Sequence, residues 1–418
     1  MYLVKHMLKH ISFLFFVLMV ISQCEHYTKS TDSDDLKPTQ LVITEAQRKL
    51  IIESNAFGLE LFQQVRSNEN VMISPLSASA ALTMALNGAN GNTATQMKQL
   101  LGYGSRSLSE INEAYKLIVN QLLSADSKVT LALANAAFYE QTFSIKSSFL
   151  SALSNDFSAE VKGMDFSKSA TLDAINKWAS DNTNGKIPKV LDDLSPDLVL
   201  ILMNALYFKG EWSKQFTESA TANQTFYQSE SVQFPTKFMN SDIAVTTAEV
   251  NGLQVIEIPY GRKNFSMLLV VPILSLQQQY EKLTPETWLG LTSILNEQTW
   301  DSATVLLPKF TFSYETYFNQ ALQSMGMLDA FDSYYANFDG ISDAEKLFIS
   351  FVKQNTFIEV NEEGTEAAAV TTIGFSRTSV DVPPRKPIYT FNKPFVFAIR
   401  ERSSNTLLFI GSLSDPRE

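Results

Sequence analysis

The sequence predicts an α+β fold. Helical and strand-like stretches are interspersed without the strict alternation of a doubly wound sheet. Hydrophobic residues make up 45% of the 418 positions, ample for a large core, and no Pro/Gly/Ser-rich linker or internal repeat interrupts the chain after residue 42. Length by itself suggests about two or three domains, but without a linker one large domain is credible.

The first helix opens at Thr44-Glu45-Ala46-Gln47, which has the form of a capping box. Phe57, Leu61, Phe62 and Val65 follow at helical spacing and make one apolar face. Ser77 to Leu86 reads as a second, buried helix closed by Asn87-Gly88. Lys128 to Tyr139 is rich in apolar residues and reads as a strand, weakened by its alanines. A helix over Leu172 to Trp178 runs into the turn-like Asn182-Thr183-Asn184-Gly185. Val199 to Phe208 is a nearly unbroken apolar run, long for a strand and suited to one covered on both faces. Val305 to Pro308 leads into a strand around Phe310 to Phe312, Phe318 to Met325 is helical, and Phe351 to Val360 is a strand again.

The formal net charge of −11 argues against nucleic acid or an anionic membrane surface as partner, because both require clustered Lys and Arg. His6, His10, His26 and Cys24 are the only histidines and cysteine, so the body of the chain has neither type. That removes Ser-His-Asp and Cys-His catalysis and nearly every zinc or copper site. No metal or cofactor is expected. Ser350 and Lys353 have the spacing of a Ser-x-x-Lys dyad, and Ser180-Asp181-Asn182 fits the companion motif of penicillin-binding enzymes. Their order is reversed, no Lys-Thr-Gly follows, and an offset of three within a strand points the two side chains to opposite faces. An enzyme is not expected.

Lys5, His6, Lys9 and His10 precede an apolar run, Ile11 to Ile21, in the pattern of a signal peptide and too short to span a membrane comfortably. Residues 1–23 are therefore expected to be a leader. Ile21-Ser22-Gln23-Cys24 resembles a bacterial lipoprotein processing site, although Gln23 departs from the small residue usual before the cysteine. Lipidated Cys24 would then begin the mature chain; ordinary secretion, with Cys24 incidental, is the other reading. Residues 24–41, with Asp32, Asp34 and Asp35, read as a polar tether, and 42–418 as the folded domain. The expected location is exported, with membrane contact only through a lipid at Cys24. Without a cysteine pair, the core must hold the fold unaided.

One stretch says most about function. Glu362-Glu363-Gly364-Thr365-Glu366-Ala367-Ala368-Ala369 follows the last of these strands with no turn pair between. Gly364 can act as a pivot. Thr365, Ala367, Ala369 and Thr371 alternate, so they would share one face if the segment became a strand. Side chains so small can slip beneath a sheet without displacing core. A solvated loop is the competing reading from composition alone.

The stretch resembles the reactive-loop hinge of inhibitory serpins. Asn70 to Ser77, Asn204 to Trp212, Phe391 to Phe395 and Leu407 to Pro416 are similar to serpin signatures in family order, and together they cover nearly everything after residue 42. The resemblance implies one domain of three β-sheets and about nine helices, with the reactive loop exposed at one end; together with the leader and the lipoprotein-like Cys24 site, a bacterial, exported member is expected. The resemblance also implies a monomer that acts as suicide substrate of a serine protease, or of a cysteine protease. The protease cuts the loop, is held as acyl-enzyme, and is carried off as the hinge inserts into the main sheet.

Family roles fall on matching positions. Glu362 and Lys309 correspond to an ion pair at the top of that sheet, with Trp212 packed nearby. Ser74, Ser77, Asn204 and Gln354 correspond to a polar cluster under its centre, Gln354 standing where many serpins carry His. Family spacing from Glu362 places the cut at Thr378–Ser379. The guanidinium of Arg377 suits the acidic pocket of a trypsin-like protease and favours Arg377–Thr378; Phe375 is a third candidate. From Thr378 to Phe391 the loop looks longer than in familiar members. The alternative is a non-inhibitory serpin-fold binding or chaperone protein. Its hinge would commonly carry bulky or charged residues where this one has Thr365, Ala367 and Ala369.

Overall fold

Thr44 caps the first helix as its sequence requires. Its hydroxyl accepts from Gln47 N while Gln47 Oε1 accepts from Thr44 N, so α1 runs Glu45–Val65. The computed structural model describes residues 37–195, 197–365 and 386–417. Cys24, the hinge residues Glu366, Ala367, Ala368 and Ala369, and the cut candidates Phe375, Arg377, Thr378 and Ser379 lie outside the described residues. The folded body begins at Pro38. Thr39 exchanges two backbone hydrogen bonds with the Asn264 amide, and Val42 does the same with Gln121, so the last residues assigned to the tether are held against the body.

The second helix, α2 (Pro75–Leu86), starts before Ser77 because Pro75 occupies the first turn, where a missing N–H does no harm, and Ser74 caps it. Then come α3 (Gly91–Leu100), α4 (Leu108–Leu123), α5 (Ser147–Asp156), α6 (Ser169–Asn182), α7 (Leu276–Lys282), α8 (Pro285–Glu297) and α9 (Asn319–Ser324). Nine α-helices are thus present among the described residues.

The first seven strands are β1 (Val71–Ile73), β2 (Val129–Glu140), β3 (Glu160–Met164), β4 (Leu200–Glu211), β5 (Ala222–Tyr227), β6 (Gln233–Val250) and β7 (Leu253–Pro259). The rest are β8 (Phe265–Val270), β9 (Asp301–Pro308), β10 (Phe310–Tyr317), β11 (Lys353–Val360), β12 (Gly364–Thr365), β13 (Ile388–Thr390), β14 (Phe395–Glu401) and β15 (Leu407–Leu413). The main sheet has the order β10-β11-β12-β4-β2-β3. Two further sheets share β6. Its earlier residues pair with β5 and β9, with β13 beyond; Thr246 to Val250 pair with β7, which continues through β8, β14 and β15 to β1.

The strand reading of Val199 to Phe208 explains the centre. On the inward side Leu206 and Phe208 join Phe312, Ile358, Met267 and Phe397 in a core shared with the β7–β8–β14–β15 layer. On the outward side Ile175 and Trp178 of α6 cover Ala136, Phe138, Ile201 and Ala205. Burying each large apolar side chain contributes on the order of 1.5–3 kcal/mol. Both faces of β4 are covered, which is why the run is apolar apart from Asn204.

β4 and β11 are both antiparallel to β12 and therefore parallel to each other. Among the described residues no ladder joins them directly; β12 bridges them at one end.

Candidate functional site

The chain leaves β11 and turns back at once into the gap beside it. Thr365 pairs with Val360 on one side and Gly210 on the other, and Gly364 pairs with Glu211. A Cβ at position 364 would fall 2.0 Å from the Gly210 carbonyl oxygen, so glycine is required there by close approach.

Glu362, only 8% exposed, fixes this entry. Its Oε2 lies 2.7 Å from Lys309 Nζ, its Oε1 accepts from the Thr221 hydroxyl at 2.8 Å, and its carbonyl accepts from Phe216 N at 2.8 Å. Burial alone would raise this carboxyl, but the bonds from Lys309 and Thr221 outweigh it and hold Glu362 below its ordinary value. Trp212 N donates to Glu363 O at 2.8 Å and the indole Nε1 to Asn361 O at 2.9 Å. Its ring stacks on Tyr260, with centroids 4.4 Å apart and planes 10° from parallel. The Tyr260 hydroxyl in turn meets Thr365 Oγ1 at 2.7 Å. Glu363 differs from its neighbour. Desolvation, then the charges of Glu218, Glu211 and Glu362, push its carboxyl up, and its Oε2 is buried without a hydrogen-bond partner.

Further along the gap the expected polar cluster is only partly joined. Ser74 Oγ accepts from Ser77 N at 3.2 Å, the cap of α2. Gln354 binds Ser74 twice: Ser74 N donates to its Oε1 at 2.8 Å, and its Nε2 donates to Ser74 O at 3.0 Å. An amide can do both at once, which ties β11 to the start of α2. Asn204 is bonded elsewhere. Its Nδ2 donates to Asn135 Oδ1 at 2.7 Å, while its own Oδ1 is buried without a partner. Asn204, Ser77 and Gln354 nevertheless line one cavity of about 570 Å³ between β4, β11, α2 and α6.

The sequence reading missed Tyr260, Thr221, Asn361 and Asn135. None belongs to a local motif; each is defined by a partner distant in the chain. The Ser-x-x-Lys spacing has no catalytic geometry: Lys353 Nζ is 2.9 Å from Glu315 Oε1 and 5.3 Å from the Tyr317 ring centroid, committed to a neighbouring strand.

Comparison with known proteins agrees with this architecture. A family model described as serpin (serine protease inhibitor) matches residues 53–416. Iripin-2 of Ixodes ricinus is 34% identical over 387 residues, covering 90% of this chain and 96% of that protein. Intracellular coagulation inhibitor 1 of Tachypleus tridentatus is 35% identical over 380 residues, covering 88% of this chain and 89% of that one. The solved structure of a thermophilic serpin, tengpin, in its native state superposes with a TM-score of 0.80 at 30% identity, covering 91% of this chain and 98% of that one.

Proposed function

The chain belongs to the serpin family, and from that premise we propose that it traps a serine protease as a suicide substrate, its cut loop entering the main sheet between β4 and β11. The observation that carries this reading is β12: two residues already paired to both strands, above a gap that no ladder closes among the described residues. Continuing its register puts Ala367 opposite Phe208 and Ile358, Thr371 opposite Asn204 and Gln354, and Phe375 opposite Leu200. Thr365, Ala367, Ala369, Thr371, Ile373 and Phe375 would then point inward, in phase with Phe208 and Ile358. Thr371 would bring a hydroxyl to the unpartnered Asn204 Oδ1. A strand from Thr365 to Phe375 rises about 3.3 Å per residue and spans roughly 36 Å.

The chemistry is the protease's own. Its nucleophile attacks the Arg377 carbonyl, the bond to Thr378 breaks, and Thr378 leaves as an amine. Entry of the freed segment then drags the acyl-enzyme along the sheet before water completes hydrolysis. Arg377 suits a trypsin-like protease, with Thr378–Ser379 the neighbouring choice. In this reading Lys309, Glu362 and Trp212 hold the mouth, and Ser74, Ser77, Asn204 and Gln354 let β4 and β11 part. Relatives named as inhibitors support inhibition rather than turnover. The leader-like residues 1–23 support export, with lipid attachment at Cys24 and the folded domain carried behind a short tether.

The test is incubation with a trypsin-like serine protease. An SDS-stable covalent band and a released peptide beginning at Thr378 are expected. Complete cleavage without a band would sink the proposal.

A further inference from the structure

One short segment, residues 212–217, is bonded to the structure at both ends of the loop. On the upstream side Trp212 N and Phe216 N donate to the Glu363 and Glu362 carbonyls, each at 2.8 Å. On the downstream side Lys214 Nζ lies 2.7 Å from the Asp242 carbonyl oxygen, and Thr217 N donates to Ser241 Oγ at 2.7 Å. Asp242, on β6, is the residue that meets the returning chain. Its Oδ2 lies 2.6 Å from Lys386 Nζ, and its Oδ1 accepts from the Thr304 hydroxyl at 2.6 Å.

Asp242, Thr304 and Ile388 stand at one level of the neighbouring strands β6, β9 and β13. Lys386 therefore reaches across β9 to the second strand in. β13 has need of such a brace. It is three residues long, lies at the edge of its sheet, and leaves Ile388 67% exposed. Thr304 N also donates to Pro387 O at 3.0 Å, so both partners of the Asp242 carboxylate bear on the point where the loop rejoins the fold.

We propose that Asp242 is a positioning residue for the reaction with the protease: through Lys386 it fixes the downstream end of the loop, at a separation from the upstream end that residues 212–217 set. This rests on the reading above that a serine protease cuts the loop. A loop pinned at both ends has fewer conformations to lose when a protease cleft takes it up. Asp242 does not touch the reacting atoms; it acts on the rate of attack through the loop. The Lys386 and Asp242 side chains are 41% and 45% exposed, so the pair has the modest strength of a solvated one. Its loss slows cutting by roughly two- to five-fold.

The experiment mixes the full-length protein with excess trypsin-like serine protease and follows the rate of loop cutting by rapid quenching. Asp242→Asn and Lys386→Met should each be cut more slowly by that factor. The double variant should be no slower than either, because one contact is lost in all three. Lys386→Arg, which keeps the charge and the reach, should be cut at the wild-type rate. The share of cut molecules that carry a covalent band should be the same throughout. Single variants cut at or above the wild-type rate overturn the anchor, as does slowing that adds up in the double variant. If wild type is cut and leaves no covalent band, the suicide-substrate reading falls, while the cutting rates still decide the anchor.

Discussion

The Tyr260 hydroxyl lies 2.7 Å from Thr365 Oγ1, at the point where the chain turns into the main sheet. Thr365 is 4% exposed and Tyr260 fully covered by its stack on Trp212, so this contact reports whether the start of the loop is seated. Thr365→Arg would place an unpaired guanidinium there, a change that destabilises by about 3–5 kcal/mol. The variant should unseat β12 and block further entry. Its loop should still be cut, yet gel electrophoresis should detect no covalent protease band; a band of undiminished intensity contradicts the seated-entry model.

Acid should act on the two adjacent hinge glutamates with opposite sign. Glu363 is raised above the ordinary value of 4.5, first by desolvation and then by Glu218, Glu211 and Glu362. In the range just above 4.5 the folded state binds this proton more tightly, so stability rises as pH falls through its folded pKa. Glu362 is lowered: burial opposes ionisation, but Lys309 and Thr221 win. Its contribution is present above 4.5 and is lost as pH falls through a folded pKa lying below that value. Melting curves of Glu363→Gln and Glu362→Gln should lose the first and second effect respectively. Identical pH profiles for both variants and wild type would remove the assignment.

Gln354 offers a sharper structural test. It is 8% exposed and gives Ser74 both a donor and an acceptor. Gln354→Glu keeps the shape but sets a carboxylate oxygen against the Ser74 carbonyl. One buried bond is lost and an acceptor is left unpaired, a loss of about 1–3 kcal/mol. Urea unfolding should give a lower midpoint with an unchanged slope. No change in midpoint would mean that the Gln354–Ser74 pair adds nothing to the bond from Thr356 Oγ1 to the Met72 carbonyl, which ties β11 to β1.

What the sequence made legible followed from local chemistry. The capping box at Thr44, the doubly covered run of β4 and the small-residue hinge all declare themselves by spacing. Ser74 and Ser77 were singled out through family resemblance, and the structure shows that the first caps the helix that holds the second. The Asn204–Asn135 bond could not, because nothing local says which strand lies beside which. Tyr260 was likewise invisible: its meaning comes from a ring and a hydroxyl contributed by residues 212 and 365. Lys309 and Glu362 were paired through family resemblance, and the structure brings them to 2.7 Å.

Arg377→Ala addresses specificity. If a trypsin-like pocket reads the guanidinium, its removal should abolish covalent trapping of such proteases, measured as the stoichiometry of the SDS-stable band. The hinge and the mouth are untouched by the change, so heat resistance after nicking by a metalloprotease should persist. Undiminished trapping would move the reactive bond to Thr378–Ser379.

Nicking should also raise the melting temperature of the whole protein. In the uncut chain the gap between β4 and β11 leaves a cavity of about 570 Å³ lined by Ser77, Leu82, Asn204 and Phe351, and Asn204 Oδ1 is unsatisfied. An entering strand would fill the space, add ladder hydrogen bonds on both sides, and bury Ile373 and Phe375, each contributing on the order of 1.5–3 kcal/mol. Ordering the segment opposes this with about 1–2 kcal/mol per residue of backbone entropy, so the gain depends on the ladder and the apolar side chains forming together. A rise of about 5 °C or more is expected by calorimetry once the loop is cut. Thr371→Asp should diminish it, because a carboxylate would then face Asn204 Oδ1 and Gln354 in place of a hydroxyl donor. A cut protein that melts where the intact one does would mean that the gap is not a receptor for the loop.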